Sequence, residues 1–432
     1  MKKFENKTLL VLGSNVMAAE AVTYARRNGA HTIVADYYPS EKSAAKRVAD
    51  ESVLISTAET GQLIEFCRQR GVDGLFAGIG EFNLLQAMRV SQALGLRFYF
   101  NQEQWDLIEK KDQFRKLCMR FDVPCPAEYF SGEAKDLTPD ARAGFRFPLV
   151  VKPVDCAAST GVCICKKKEA LDEALKTAFE ASGSGRIIVE SFAKGHEFTA
   201  HFTICNGRAA FACIDNRYPV AVHAGDVTTI PVARIYPSIF IQAFEEKVVP
   251  AMLSLCEGIG LVDAVLFIQG MYDEETGAFN VFEAGLRSAA ESPCRFMEKI
   301  TGLNYLDMLV DYILLGTSDY DISKERPGLD GHCCGVVSLV TTGGRVGSIE
   351  GLEETVAAMP SVIQYESRYP VGTDAPSGDT LRQLMIRFVM LCDSRQSMER
   401  DIAYINDHVF VNDVNGNNMV IKMVPERVYG LD

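Results

Sequence analysis

No stretch of this 432-residue chain approaches the roughly 20 apolar residues that a membrane-spanning helix needs, so no membrane partner is expected. A basic excess is missing too: 44 Lys and Arg against 57 Asp and Glu give a net charge of −13. That balance argues against nucleic acid as a partner, although it leaves room for a local basic pocket. The 13 cysteines are odd in number and contain no C-x-x-C pair. Scattered thiols of this kind read as reduced and mostly buried, in a cytoplasmic protein, and not as a disulfide frame or a four-ligand zinc site. The basic start, Met1–Lys7, is not followed by a long apolar core and a small-residue cleavage site, so it does not read as a secretory signal. Neither G-x-G-x-x-G nor the Walker-type G-K-[ST] occurs. Repeats and low-complexity tracts are absent as well.

Apolar residues make up 47% of the chain and charged residues 23%, as in an ordinary globular protein, and the length suggests about three domains. Residues 8–100 alternate short apolar strands with helical segments, which predicts a parallel sheet covered by helices, an α/β arrangement. Ligands of such sheets sit beyond the strand C-termini. Gly13-Ser14-Asn15 ends the first strand there and offers N–H groups to an anion, and Asp36 ends the second, but a solvated carboxylate explains Asp36 as well. A single helix is expected over Trp105–Phe121, stopped by Val123-Pro124-Cys125-Pro126. Residues 147–205 read as strand, loop, strand, helix, strand, strand, with the helix over Ala170–Ser182. Prolines 219, 231 and 237 make 216–240 read as irregular. A helix over Ile241–Gly258 leads to strands Val262–Gln269 and Phe279–Glu283, joined as a hairpin at Asp273–Gly277, and a helix over Tyr305–Leu315 follows. From about 319 the chain reads as loop-rich, with a helix around Ser394–Asn406.

Within this frame a few residues carry chemistry. Lys152 ends an apolar strand, which aims it into a cleft. The small-residue run from Asp155 to Gly161, with Ser159 and Thr160, lets backbone N–H groups approach a phosphate, or forms a plain hairpin turn. Glu190 closes the strand Arg186–Val189, and Glu197 follows after Gly195. An extended hinge between them offers backbone donors and acceptors to a base, while Glu197 suits ribose hydroxyls; exposed turn acids are the plainer alternative. Glu283 and Arg287 lie four residues apart after an apolar strand, a carboxylate for a hard cation and a guanidinium for an anion. Arg217, Arg234 and Arg287 are candidates to grip a substrate carboxylate, with surface solvation the alternative for the first two. His196, His201 and His223 read as packed or solvated, and none is assigned as a base.

The order Lys111, Lys152, glycine-rich loop, Glu190…Glu197, Glu283…Arg287 resembles the ATP-grasp superfamily, and the resemblance covers nearly the whole chain. It implies an ATP-grasp fold over 104–316, preceded by a parallel-sheet (pre-ATP-grasp) domain over 1–103 and followed by a small α+β C-terminal domain over 317–432. The tail from Gly343-Gly344 is similar to that of biotin-carboxylase-like and amino-acid-ligase members.

The resemblance also implies roles. Lys111 and Lys152 would bind ATP phosphates, and Ser159, Thr160 and Gly161 would close over them. Glu190 and the backbone at Phe192 and Ala193 would face the adenine, Met271 and Phe282 would sandwich it, and Glu197 would hold the ribose. Glu283 and Gln269 would meet Mg2+, or Mn2+ in its place. Arg287 would be the catalytic residue, stabilising the reacting oxyanion. The family pattern usually has a carboxylate where this chain has Gln269 and an asparagine where it has Gly285. Glu291 and Asp263 are the nearby acids in sequence.

The activity implied is that of an ADP-forming carboxylate–amine ligase acting on small molecules through an acyl phosphate. Another ATP-grasp transfer (carboxylation or formyl transfer) and a non-catalytic nucleotide-binding descendant are the alternatives. A homodimer paired through sheet domains is a further possibility that relatives suggest. The Q-V-E-H run of biotin carboxylase is absent after Arg287, and the unit occurs once, unlike the tandem copies of carbamoyl-phosphate synthetase.

Overall fold

The computed structural model describes residues 2–156, 160–220, 230–378 and 381–424. The first sheet is built from β1 (Thr8–Leu12), β2 (His31–Ala35), β3 (Glu51–Val53) and β4 (Gly74–Ala77), all parallel in the order β3-β2-β1-β4. Its central strands are buried on both faces, which is why they read as continuous apolar runs. Helices α1 (Val16–Arg27) and α2 (Thr60–Arg70) cross between its strands, and α3 (Glu81–Leu94) follows β4. Asn15 caps α1 by accepting from the Ala18 N–H at 2.8 Å, so the Gly13-Ser14-Asn15 turn serves as a cap.

The helix expected over 105–121 is two helices, α4 (Gln102–Glu109) and α5 (Lys111–Arg120). Lys110 between them is extended (φ −81°, ψ 115°), and the Lys111 N–H leaves the helical ladder to donate to Val154 O at 3.3 Å. A tertiary hydrogen bond thus breaks a run whose local pattern is continuous. Next come β5 (Glu128–Glu133), the short α6 (Pro139–Ala143), β6 (Leu149–Pro153), β7 (Cys163–Cys165), α7 (Leu171–Ala181) and β8 (Arg186–Ser191). Their antiparallel sheet has the order β5-β8-β6-β7.

The chain continues through β9 (His196–Cys205) and β10 (Arg208–Ile214), then β11 (Asn216–Val220) and β12 (Ile230–Tyr236). Two strands therefore occupy much of the stretch that its prolines marked as irregular; His223 lies outside the described residues. Pro219 and Pro231 face each other beside a bulge on this edge pair, a position that tolerates lost N–H groups. The helix expected over 241–258 is divided into α8 (Ile241–Lys247) and α9 (Val249–Gly258). Strands β13 (Ala264–Asp273) and β14 (Ala278–Gly285) return to pair with β9, giving the antiparallel order β10-β9-β13-β14. Helices α10 (Cys294–Thr301) and α11 (Tyr305–Leu315) follow.

The remainder is mostly regular structure, not the loop-rich tail expected. It comprises β15 (Cys333–Thr341), β16 (Gly344–Glu350), α12 (Leu352–Ala358), β17 (Val362–Ser367), β18 (Asp374–Ala375), β19 (Leu384–Cys392), α13 (Arg395–His408), β20 (Phe410–Asp413) and β21 (Val420–Ile421). An antiparallel path β11-β12-β15-β19-β17, with β21 on β15, makes one sheet, so strands from before residue 316 complete the C-terminal sheet. All thirteen cysteines are free thiols, most of them buried. Among the described residues no helix is long and apolar enough to cross a membrane.

One apolar core runs from the first sheet and its helices to the inner face of the β9–β13 sheet and α11. A buried carboxylate reinforces that junction. Asp311 on α11 is 3% exposed and accepts from Lys3 Nζ (2.6 Å), Tyr24 Oη (2.8 Å) and Ser318 Oγ (3.2 Å). Asp311→Ala removes the shared acceptor of Lys3, Tyr24 and Ser318, and is expected to lower the unfolding free energy by about 2–4 kcal/mol in chemical denaturation.

Candidate functional site

A cavity of about 270 Å³ lies between the β5–β8 sheet and the β9–β13 sheet. Eleven of the residues singled out in the sequence line it: Lys111, Lys152, Glu190, Phe192, Ala193, Glu197, Arg217, Gln269, Met271, Phe282 and Glu283. Residues separated by up to 172 positions in sequence meet here because the two sheets face each other across the cleft.

On the first wall, Lys152 projects from β6 and Glu190 from β8. Lys152 Nζ donates to Glu190 Oε1 at 2.5 Å, and Arg115 of α5 engages the other carboxylate oxygen. Lys152, Glu190 and Arg115 are 4%, 3% and 4% exposed. Desolvating three charges is costly, and two cations gripping one carboxylate offset that cost while leaving the trio net positive. The Glu190 carboxylate is therefore committed to the two cations, not turned to a base as the resemblance implied. Arg115 also lies beside Cys125, whose thiol is drawn down to about 6 by the hydrogen bond from Cys118 and by the guanidinium.

The second wall depends on a bulge. Gln269 pairs with Glu283 across β13 and β14, but Gly270 pairs with Val281, so Phe282 is the extra residue. Without it, neighbours on a strand would face opposite sides; with it, Phe282 and Glu283 both reach the cavity. The Phe282 ring centre lies 5.9 Å from Lys152 Nζ. Lys111 Nζ lies 3.4 Å from Glu283 Oε1 and donates to Cys156 O at 2.7 Å, tying the stem of the small-residue loop to this wall. Glu197 pairs with Arg217 of β11 and stands opposite Met271 in register.

Thr160, Gly161 and Arg287 stand apart from the cavity. Ser159 lies outside the described residues. Thr160 is exposed and Gly161 packs away from the cavity, its place for a Cβ being 2.5 Å from Ala181 Cβ. Arg287 is also outside the cavity: Nη2 donates to Glu81 Oε1 (2.9 Å), Nη1 to Ser288 O (3.1 Å), and its guanidinium carbon is 4.9 Å from the Phe267 ring centre. Arg234 is neither solvated nor turned to the cavity. It is buried between Asp215 (3.0 Å) and Glu291 (3.0 Å). His201 is buried and pushed down to about 4, so it stays neutral, while His196 faces Glu274 at 3.9 Å.

Gly285 has a packing reason. Its cross-strand partner is Phe267, and a Cβ at 285 would lie 2.5 Å from the ring Cζ. The ring fills the space of a side chain there. Glu291 is taken by Arg234, and Asp263 sits before the far end of β13, about 20 Å along the strand from Gln269. Neither acid replaces a ligand at the cavity.

Sequence reasoning missed Arg115, Glu81 and Glu109. Arg115 follows Lys111 by four residues, one helical turn on the same face, which was a usable signal. Glu81 starts α3 just beyond β4, where acceptor residues of a parallel sheet gather. Glu109 ends α4 and accepts from the Leu286 N–H at 2.8 Å; nothing in its local pattern marks it. Burial, then the charge of Glu81, pushes Glu109 up to about 7, against the pull of Arg287.

Two outcomes follow. The folded chain holds a proton on Glu109 that the unfolded chain releases above about 4.5, so this contribution to stability is present at low pH and declines as pH rises towards about 7. Glu109→Gln, which keeps the acceptor for Leu286, is expected to lose less stability than the parent between pH 5 and 8 in urea titrations (~1 kcal/mol or more apart). Gly285→Asn is expected to cost about 1–3 kcal/mol by forcing Phe267 from its place, and Phe267→Ala in the same chain should recover part of that; additive losses would show that the two positions are uncoupled.

The family described as D-ala D-ala ligase C-terminus matches residues 124–215. The formate-dependent phosphoribosylglycinamide formyltransferase of Bacillus subtilis (strain 168) is 25% identical over 208 residues, 48% of this chain and 53% of that protein. The chain thus spans about half the length of the formyltransferases it matches. An L-amino acid ligase from Bacillus licheniformis superposes with a TM-score of 0.75 at 18% identity, covering 95% of this chain and 99% of that one. The biotin carboxylase domain of Hydrogenobacter thermophilus 2-oxoglutarate carboxylase, a dimer in complex with MgADP, ADP and bicarbonate, superposes with a TM-score of 0.76 at 14% identity, covering 98% and 93%. The chain thus shares its fold with these proteins over almost its whole length, and residues 124–215, across one wall of the cleft, match the D-ala D-ala ligase C-terminal family.

Proposed function

We propose that this chain is an ATP-dependent carboxylate–amine ligase that forms an acyl phosphate and releases ADP and phosphate. The observation that carries the reading is the layout of the cavity. Lys111 and Lys152 stand beside the stem of the small-residue loop, Phe282 and Met271 provide apolar surface, and Glu197 lies on the same wall as Met271. Cations for phosphates, apolar faces for a base and a carboxylate for ribose hydroxyls are the three needs of a nucleotide. Phe192 gives its own N–H to Pro148 O (3.3 Å), so the hinge that follows Glu190 is held open at the cavity and offers its carbonyl, with Ala193, to an adenine edge.

The chemistry proceeds in two displacements. The γ-phosphoryl group passes from ATP to a carboxylate oxygen and ADP leaves. The amine nitrogen then attacks the acyl carbon, the carbon–oxygen bond to phosphate breaks, phosphate takes the electron pair, and the amine loses a proton to solvent. Positioning and charge neutralisation dominate such transfers. Lys152, oriented by Glu190 and backed by Arg115, and Lys111 do this on the phosphate side. The donor set fits one magnesium, which Glu283 and the Gln269 carbonyl would hold and which would neutralise phosphate oxygens. Among the described residues no three His, Cys, Asp or Glu converge as a metal centre, so its other ligands would be phosphate and water.

The acceptor side lies where the loops after β1 and β4 meet. The sheet order reverses at that point, and Gly78 comes so close to Asn15 that a Cβ would lie 2.9 Å from Asn15 Oδ1. Arg287, held there by Glu81, is placed to meet the acid's carboxylate and the oxyanion formed from it. Formate is itself a carboxylate, so the formate-dependent relative suits the same scheme with a one-carbon acid. Gln269 and Gly285 favour a second reading, a chain that binds nucleotide without turnover.

ADP release measured across a panel of carboxylates, with formate and bicarbonate included, and of amines separates the two. The expected result is release that needs both an acid and an amine. Arg287→Ala is expected to reduce it about 10²–10³-fold with nucleotide binding retained. Nucleotide binding without release on any pair would leave the non-catalytic reading; bicarbonate-dependent release without an amine would make the reaction a carboxylation.

A further inference from the structure

The charges of the cavity are matched within the protein. Glu190 is held by Lys152 and Arg115, Glu197 by Arg217, and Glu283 faces Lys111 at 3.4 Å. Among the described residues no carboxylate of the cavity stands without a side-chain cation. Gln269 brings no charge, its amide nitrogen lies 3.4 Å from Thr199 Oγ1, and the Phe267 ring occupies the space beside Gly285 where a further ligand would project. The donor set is therefore too poor for a pair of divalent ions, which would need several anionic oxygens from the protein.

Lys111 supplies what is missing. Its ammonium lies between Glu283 and the carbonyl of Cys156, at the stem of the small-residue loop. That position joins a carboxylate–cation contact of the cavity to the stem of the loop that the sequence marks for phosphates. Its backbone is fixed there too, since the helix break at Lys110 lets the Lys111 N–H bond Val154 O. An ammonium held in this way bridges a carboxylate and a polyphosphate as a metal ion would, but it is part of the chain and always present.

We infer that this cleft binds a nucleoside polyphosphate without requiring a divalent cation, Lys111 serving as the built-in bridging cation, and holds no more than one such ion when metal is supplied. The inference rests on the reading of the cleft as a nucleotide site.

Calorimetric titration of ADP into the 432-residue chain, in EDTA and in excess Mg2+, tests it. The two affinities are expected to agree within about fivefold. Lys111→Met is expected to weaken binding in EDTA by about 10–100-fold and to regain much of that in Mg2+, because Glu283 is then open to the ion. Lys110→Met, at the exposed neighbour paired with Asp106, is the control and should bind as the parent does. Gln269→Glu keeps Lys111 and adds a carboxylate, so Mg2+ should now tighten ADP binding by more than about fivefold even if the Lys111 variant fails to fold. Electron paramagnetic resonance of Mn2+ should count one bound ion or none per nucleotide. A parent that loses more than about fivefold in EDTA, or that holds two Mn2+, overturns the inference and leaves the nucleotide site standing. No ADP binding in either buffer overturns the site itself, and the inference with it.

Discussion

The buried carboxylate of Glu190 holds one wall of the cleft in place. It sits on β8, grips Lys152 from β6 and takes Arg115 from α5, so three elements converge on one anion. Each charge alone would be too costly to bury. Together they leave a net positive wall with its lysine in a fixed rotamer, which suits an anion better than a solvated lysine would. The same interaction sets where α5 lies, and α5 begins at Lys111. The position of the second lysine thus depends on the first wall being closed.

From there the constraint passes to the opposite wall. Lys111 meets Glu283, and Glu283 reaches the cavity only because Phe282 is bulged out of register on β14. Two residues further on, Gly285 makes room for Phe267, and Phe267 supports the guanidinium of Arg287. Arg287 in turn binds Glu81 at the start of α3. A chain of contacts therefore runs from the cleft to the carboxyl edge of the parallel sheet. The glycine at 285 is part of that chain: the ligand it lacks is exchanged for a ring that orients an arginine. Asp311, with Lys3 and Tyr24, closes the junction on the other side of the core.

Much of this was legible before the fold was seen, and for particular reasons. Lys152 and Glu190 each end an apolar strand, and strand ends point into clefts. The β13–β14 hairpin announced itself through the Asp273–Gly277 turn. What misled was equally local. Lys110 has a helical neighbourhood, yet a bond from Lys111 to Val154 interrupts the helix. Prolines 219 and 231 suggested disorder of structure, but they share an edge pair that needs fewer donors. Arg234, in a stretch that read as irregular, was a candidate to grip a substrate carboxylate or to be solvated, and burial between Asp215 and Glu291 made it a structural ion. In the tail after 319 the long strands β15 and β19 are buried almost throughout, so they lack the alternation that marks a half-buried strand, and β18 and β21 are too short to read.

The sequence by itself determined the inventory: which residue types exist, in what order, with which turns and strand ends, and hence the ATP-grasp likeness, the absence of a Walker loop and the altered positions at 269 and 285. Those are local properties of the chain. Tertiary structure alone decided pairing. It assigned Glu190 to two cations, gave Glu197 to Arg217, moved Arg287 to Glu81, and set Lys111 between Glu283 and the loop stem. The physical reason is that a charge's role depends on its partner and its burial, and both are set by residues many tens of positions away that only the packed sheets bring within hydrogen-bonding distance.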